Sequence, residues 1–118
     1  MNKKQKGHFA EFYARMFLRL KGYTIKEKNF ITGKGTTAGE VDIIALKAHT
    51  LVFVEVKERQ SIKNALYAIK PIQQQRIINA AKFYIARHKQ YQNHNIRFDA
   101  VFISGIRIKH ISNAWQPH

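Results

Sequence analysis

Hydrophobic and polar positions alternate along the chain in patterns that change from helical to strand-like. From about Lys4 to Lys21 apolar side chains recur every three or four residues, which predicts an amphipathic helix ended by Gly22. We expect this helix to pack through its apolar stripe, formed by Phe9, Phe12, Tyr13, Met16, Phe17 and Leu20. The alternating run from Tyr23 to Phe30 then predicts a first strand.

Two further strand patterns follow close together. They run from Gly39 to Leu46 and from Leu51 to Lys57, and the short connection between them predicts an antiparallel hairpin. The preceding stretch ITGKGTTAG is rich in glycine and threonine, so we expect residues 33–39 to form a mobile loop.

The second half of the chain predicts helix followed by strand. Ser61 to about Lys89 has a helical pattern that Pro71 divides into a short helix and a longer one. Ile96 to Ser104 predicts another strand, and Ile106 to Ile111 a last one. The order predicts one α/β (α+β) domain over residues 1–118, a mixed sheet flanked by helices, with a frayed tail at 113–118.

The net charge of the chain indicates which class of partner it binds. Lysine and arginine number 21 against seven acidic residues, a net charge of +14, which favours a polyanion such as nucleic acid because binding releases condensed counterions. There is no cysteine, and no apolar run reaches the roughly 20 residues of a membrane span, so we expect a cytoplasmic protein. A merely soluble basic protein and an adaptor at an anionic membrane or the ribosome are alternatives.

The hairpin concentrates acidic residues. Closed on its four-residue loop, it places Asp42 opposite Glu55 and Glu40 opposite Lys57. Carboxylates in such register repel each other, and a divalent cation with oxygen ligands would relieve the repulsion while leaving positions for phosphate oxygens. Lys57, beside Glu55, could then orient an attacking water.

A simpler interpretation is open at each of these positions. Glu55 and Lys57 could be the solvated end of a strand, and Asp42 could pair with a nearby lysine. The metal interpretation is favoured by the grouping of four of the seven acidic residues in this hairpin: Glu40, Asp42, Glu55 and Glu58.

At these residues the chain resembles known nucleases. The pattern D-x(12)-E-V-K across a hairpin, after an acidic residue on an N-terminal helix, resembles the PD-(D/E)xK nuclease superfamily. Nearly the whole chain resembles the small bacterial YraN-type proteins within it. The matching stretches are Gly7 with Ala10-Glu11, GYTI, GEVDIIA, LVFVEVKER, Lys70 and RFDAV.

The resemblance implies a restriction-endonuclease-like αβββαβ core with a Mg²⁺ or Mn²⁺ site. The implied metal ligands are Asp42, Glu55 and Val56, the implied catalytic lysine is Lys57, and Glu11 is the implied acidic partner. Two departures are visible: Ala10 stands where a glycine is expected, and TGKGTTA lacks the arginine expected before Gly39.

Several other residues have both a functional and a structural interpretation. Glu11 could equally form an exposed ion pair with Arg15, and Asp99 could be a hidden acid or the partner of Arg97. We expect weaker nucleic-acid contacts, or merely solvated side chains, at Lys34, Arg59, Lys70, Gln73 and Gln75.

The sequence thus predicts a nucleic-acid-binding protein, with DNA favoured over RNA. The leading hypothesis is a Mg²⁺-dependent nuclease acting on DNA of branched or irregular structure, with Glu11, Asp42, Glu55 and Lys57 as catalytic residues. The alternative is a DNA- or RNA-binding module that has the nuclease-like fold without turnover. A homodimer is compatible with the small size of the domain.

Overall fold

The computed structural model describes residues 2–61 and 68–117. Helix α1 spans Lys3–Leu20 and is followed by strands β1 (Thr24–Thr32), β2 (Gly39–Lys47) and β3 (Thr50–Glu58). Helix α2 spans Pro71–Arg87 and precedes strands β4 (Asn95–Ser104) and β5 (Arg107–Ile111). The short helix predicted after Ser61 falls largely at 62–67, outside the described residues.

The five strands form one mixed sheet in the order β1-β2-β3-β4-β5. Strands β3 and β4 are parallel and joined through α2, whereas the other three neighbouring pairs are antiparallel. Helix α1 packs on one face and α2 on the other, each with its own hydrophobic cluster. The predicted α+β class, with a mixed sheet flanked by helices, is confirmed, and it is consistent with a restriction-endonuclease-like core.

The face that α1 turns to the sheet differs from the predicted stripe. Ala10, Ala14 and Leu18 are buried, whereas four residues of the predicted stripe are exposed: Phe9 (54%), Phe12 (51%), Met16 (41%) and Leu20 (85%). Alanine side chains let the helix lie close to the sheet, so the smallest apolar residues make the contact. The outward aromatic rings are instead covered in part by cations, since Arg15 lies over Phe12 and Lys21 over Phe17.

The loop between β1 and β2 is tied to α2. It contains a short 3-10 turn at Gly35–Thr37, and the Asn79 side chain donates hydrogen bonds to the carbonyl oxygens of Thr36 (3.2 Å) and Ala38 (3.0 Å). Gly39 allows close approach here, because an added Cβ would lie 2.5 Å from the backbone nitrogen of Ala80.

The chain after β5 packs on the domain as far as Trp115, although the sequence predicts a frayed tail at 113–118. Trp115 is 7% exposed and stacks on Phe98, whose carbonyl oxygen accepts a hydrogen bond from the Ala114 N–H. The lone tryptophan supplies enough apolar area to hold this segment. Within the described residues, neither helix is long and apolar enough to cross a membrane.

Candidate active site

The hairpin has the predicted register up to one point. Leu46 pairs with Leu51 and Ile43 with Val54, and the ladder between β2 and β3 stops there. Beyond it the backbone N–H of Val56 donates a 2.7 Å hydrogen bond to the Asp42 carboxylate. The Asp42 side chain therefore takes the place of a backbone acceptor where the two strands separate.

Asp42 and Glu55 converge at this separation. Burial, followed by a side-chain hydrogen bond with Glu55 and the charge of Glu55, raises the pKa of Asp42 to about 8. The Val56 N–H and the Lys57 ammonium oppose the shift only in part. Two carboxyl groups so close cannot both ionise easily, so they share a proton or require a cation.

Lys57 lies on the same side of β3 as Glu55. Its Nζ is 3.6 Å from Glu55 Oε2, and the two side chains are only 17% and 13% exposed. An ammonium held next to this pair is positioned to neutralise charge or to orient a water molecule. The predicted grouping of Asp42, Glu55 and Lys57 is therefore present in the structure.

Glu11 reaches the same group from α1. Burial raises its pKa first, the charge of Asp42 raises it next, and Arg15 and His8 oppose these effects. Arg15 is thus close enough to lower the pKa of Glu11, as the predicted ion pair requires. Burial and the charge of Asp42 nevertheless have the larger effect on that pKa. Glu11 therefore belongs to the electrostatic environment of Asp42.

Asn29 is a member of this environment that the sequence did not single out. Its side chain hydrogen bonds Glu11 and lowers that residue's pKa. Its φ of 52° is unusual within a strand, and it stands between Lys28 and Phe30, which pair with Ile43 and Val41 on either side of Asp42. The signal was an asparagine inside an alternating strand pattern, since asparagine tolerates this left-handed conformation better than most residues.

Strict alternation also fails around Asp42. Val41 packs with Ile44 in the cluster under α2, whereas Ile43 packs in the cluster under α1. The sequence predicts Val41 and Ile43 on one face. The face changes next to Asp42, where β2 leaves the ladder with β3.

The oxygen atoms at this point suit a hard divalent cation. The N–H and C=O of a strand residue point toward the same neighbouring strand, so the Val56 carbonyl faces the gap that holds the Asp42 carboxylate. Together with Glu55 this gives two carboxylates and one carbonyl, a donor set that Mg²⁺ accepts while keeping several waters. Among residues 2–61 and 68–117 no group of three or more His, Cys, Asp or Glu side chains could hold a metal ion, so any site here would depend on the carbonyl and on water.

Glu40 lies away from this group, contrary to the prediction that it faces Lys57. Its partner across the sheet is Ile31 of β1, and its carboxylate is 3.6 Å from Arg76 of α2, with both side chains about half exposed. The ladder between β2 and β3 does not extend to Glu40, so the assumed pairing does not form.

Most of the residues predicted to make weaker nucleic-acid contacts form hydrogen bonds within the fold. The Gln73 side chain accepts from the Lys70 N–H at the start of α2, and Gln75 donates to Asn79. The Lys34 carbonyl accepts from the Thr37 hydroxyl. Arg59 directly follows the acidic hairpin, and its backbone N–H donates to the Ile103 carbonyl. None of these contacts joins the group around Asp42.

Asp99 forms a separate buried centre. It is fully buried, and its carboxylate accepts two hydrogen bonds from Arg97 at 2.8 Å, one from His110 at 2.7 Å and one from the Asn113 N–H at 2.9 Å. Burial alone would raise the pKa of Asp99, but these hydrogen bonds lower it below the ordinary value. The predicted alternative of an Arg97 partner is therefore confirmed.

Comparison with known proteins gives consistent matches along the chain. The sequence model of the uncharacterised protein family UPF0102 matches residues 10–103. A UPF0102 protein of Paramagnetospirillum magneticum is 40% identical over 113 residues, covering 95% of this chain and 88% of that protein. A UPF0102 protein of Nitrobacter winogradskyi is 41% identical over 110 residues, covering 92% of this chain and 90% of that protein.

Proposed function

The chain belongs to the uncharacterised protein family UPF0102, which confirms the YraN-type resemblance, and from its site we propose that it is a Mg²⁺-dependent nuclease acting on DNA. The observation that supports this most is the contact between the Asp42 and Glu55 carboxyl groups, with Lys57 Nζ 3.6 Å from Glu55. An acid with a strongly raised pKa beside a specific charge partner is a candidate for chemistry.

Asp42, Glu55 and the Val56 carbonyl would hold the cation. When bound, it would lower the pKa of a water and polarise a phosphoryl oxygen. Lys57 would orient that water for attack on phosphorus and stabilise the negative charge that builds on the phosphate oxygens. As its bond to phosphorus forms, the attacking water gives up a proton to solvent, and the leaving oxygen takes up a proton from solvent when its own bond to phosphorus breaks.

Two features favour nucleic acid as the substrate. The net charge of +14 attracts a polyanion, and the resemblance to PD-(D/E)xK enzymes adds the expectation of DNA, including branched or irregular DNA. We place this activity in the cytoplasm on the composition of the chain.

The test is cleavage of branched, nicked and single-stranded DNA in the presence of Mg²⁺ or Mn²⁺. We expect the wild type to cut at least one of them, and Asp42→Asn and Lys57→Met to lose that activity by about 100-fold or more. Glu40→Gln is the matched control, because Glu40 lies two residues from Asp42 yet pairs with Arg76. Cleavage that survives Asp42→Asn or Lys57→Met unchanged would refute the proposal.

A non-catalytic DNA- or RNA-binding module is the second candidate. It is favoured by the net charge of +14, which attracts a polyanion whether or not the protein cleaves it. It predicts binding that weakens steeply with salt and no metal-dependent cleavage of any of the three substrates.

A further inference from the structure

A cleft lies on the α1 side of the sheet, between the start of α1, the end of β3 and the turn between β4 and β5. Its volume is ≈ 470 Å³, within the range of pockets that hold small organic ligands. The lining residues that matter here are Lys6, Phe9, Arg59, Gln60, Ser104 and Ile106.

One wall of the cleft is apolar and braced. Phe9 is 54% exposed, and its ring stacks on Tyr13 with centroids 6.2 Å apart. The Tyr13 hydroxyl donates a 2.8 Å hydrogen bond to the carbonyl of Ile106, whose side chain is 89% exposed on the opposite wall. The cleft therefore offers an aromatic face that is already held in position.

The cleft is lined by two cations, Lys6 and Arg59, and by one acid, Glu58. Arg59 is fixed twice, because its backbone N–H donates to the Ile103 carbonyl and its guanidinium donates a 2.7 Å hydrogen bond to the Glu58 carbonyl. Lys6 stands on the α1 side of the same cleft. An aromatic face with fixed cations beside it matches a nucleotide, whose base stacks and whose phosphate is anionic.

The cleft is lined by residues that are sequence neighbours of the candidate active-site residues. Ala10 lines the cleft and precedes Glu11, while Glu58 and Arg59 line it and follow Lys57.

We propose that this cleft binds one unpaired nucleotide, its base against Phe9 and a phosphate near Arg59 and Lys6. The inference rests on the proposed function, and it selects substrates with a single-stranded segment, because a base stacked and paired within duplex DNA cannot enter a cleft. The concave shape disfavours a bilayer surface, which the outward ridge of α1 would meet first.

The test is binding without cleavage, measured by fluorescence anisotropy in EDTA. The probes are a short single-stranded oligonucleotide and an abasic version with the same number of phosphates. We expect the wild type to bind the oligonucleotide with bases about 5- to 150-fold more tightly, the range for stacking of one base. Phe9→Ala should abolish this difference.

Phe12→Ala is the matched control, since Phe12 is 51% exposed on the same helix but does not line the cleft. It should keep the difference. Arg59→Gln should weaken binding of both oligonucleotides by a similar factor and reduce the salt dependence, because it removes a phosphate contact without removing the stacking face. Both phenylalanines are exposed, so circular dichroism should show native helix content in each variant.

Equal binding of the two oligonucleotides by the wild type, or equal losses in Phe9→Ala and Phe12→Ala, would overturn the proposal. If vesicles of anionic phospholipid were bound instead, with equal dependence on Phe9 and Phe12, the surface would be a membrane contact and the proposal would be wrong. The nuclease proposal fails separately, through absence of cleavage with Mg²⁺ or Mn²⁺ while base-dependent binding in EDTA persists.

Discussion

Asp42 and Asp99 are two aspartates held away from bulk solvent, and their surroundings shift their pKa values in opposite directions. Asp99 accepts hydrogen bonds from Arg97, His110 and the Asn113 N–H, and its pKa is lowered. Asp42 faces Glu55, and burial and that neighbour raise its pKa to about 8.

The contrast separates a structural acid from a candidate functional one. Around Asp99 the fold supplies the cations and donors that an ionised carboxylate needs, so its charge is already compensated. Around Asp42 the described residues supply a second carboxyl group, Glu55, and one ammonium, Lys57, so an additional cation is favoured. We therefore expect Asp99 to contribute to stability and Asp42 to reduce stability while providing the site.

The largest predicted effect of a single substitution on stability is the loss of the Asp99 carboxylate. Asp99→Ala leaves Arg97 and the buried His110 without their anion, so we expect the free energy of unfolding to fall by about 3 to 5 kcal/mol. Urea unfolding at neutral pH measures it. Asp42→Asn, measured alongside, should lose no stability. If both variants lost the same amount, the distinction between the two aspartates would be wrong.

The next effect is the dependence of stability on pH. The folded pKa of Asp42, about 8, lies above the ordinary 3.8, so the folded state binds more protons than the unfolded state between these values. Stability should therefore fall as pH rises from about 4 to 8, by at most about 1.4 kcal/mol per pH unit.

The difference between wild type and Asp42→Asn isolates this slope, because every other side chain is the same in both proteins. The contribution of Asp99 to stability depends on pH in the opposite direction and over a lower pH range. Because its pKa is lowered in the fold, this contribution is present above the ordinary pKa and is lost as the pH falls below it. A difference curve that is flat from pH 4 to 8 would contradict the raised pKa of Asp42.

Metal binding gives a third test of the difference between Asp42 and Asp99. A ligand that binds only the folded state at 100 times its Kd stabilises it by about 2.7 kcal/mol. We expect Mn²⁺ to stabilise the wild type and Glu40→Gln in this way, but not Asp42→Asn. The stabilisation should increase as the pH rises toward 8, since protons and the cation compete for the same carboxylates. Differential scanning calorimetry with and without Mn²⁺ measures it. Equal stabilisation of Asp42→Asn would place the cation elsewhere.

Much of the site could be predicted from the sequence because it depends on local rules. A four-residue connection and a two-residue alternation fix which residues of β2 and β3 face each other, and this brought Asp42 to Glu55 and Lys57. The same rules failed for Glu40, because the strands separate beyond Asp42. No residue-level pattern shows where a ladder stops.

The surroundings of the site depend on tertiary contacts that the sequence does not display. The burial of Ala10 and Ala14 in place of the aromatic stripe depends on how closely α1 approaches the sheet. His110 and the Asn113 N–H reach Asp99 from β5 and the chain beyond it, so only the partner at i−2, Arg97, could be proposed beforehand. Asn29 has its role through a left-handed backbone inside a strand, which alternation cannot predict.

The smallest predicted effect tests how far the Asp99 centre extends. The Tyr23 hydroxyl accepts a 2.6 Å hydrogen bond from the Arg97 guanidinium, and Tyr23 is 7% exposed. Tyr23→Phe removes that acceptor but leaves both hydrogen bonds from Arg97 to Asp99, and the Arg97 side chain is 27% exposed, so water can replace the lost partner. We therefore expect a loss of about 1 kcal/mol in urea unfolding. Tyr13→Phe removes an exposed hydroxyl and should cost less. A loss of about 3 kcal/mol for Tyr23→Phe would mean that Tyr23 and Asp99 act as one cooperative network. The compensation of Asp99 would then depend on the connection between α1 and β1 as well as on β4 and β5.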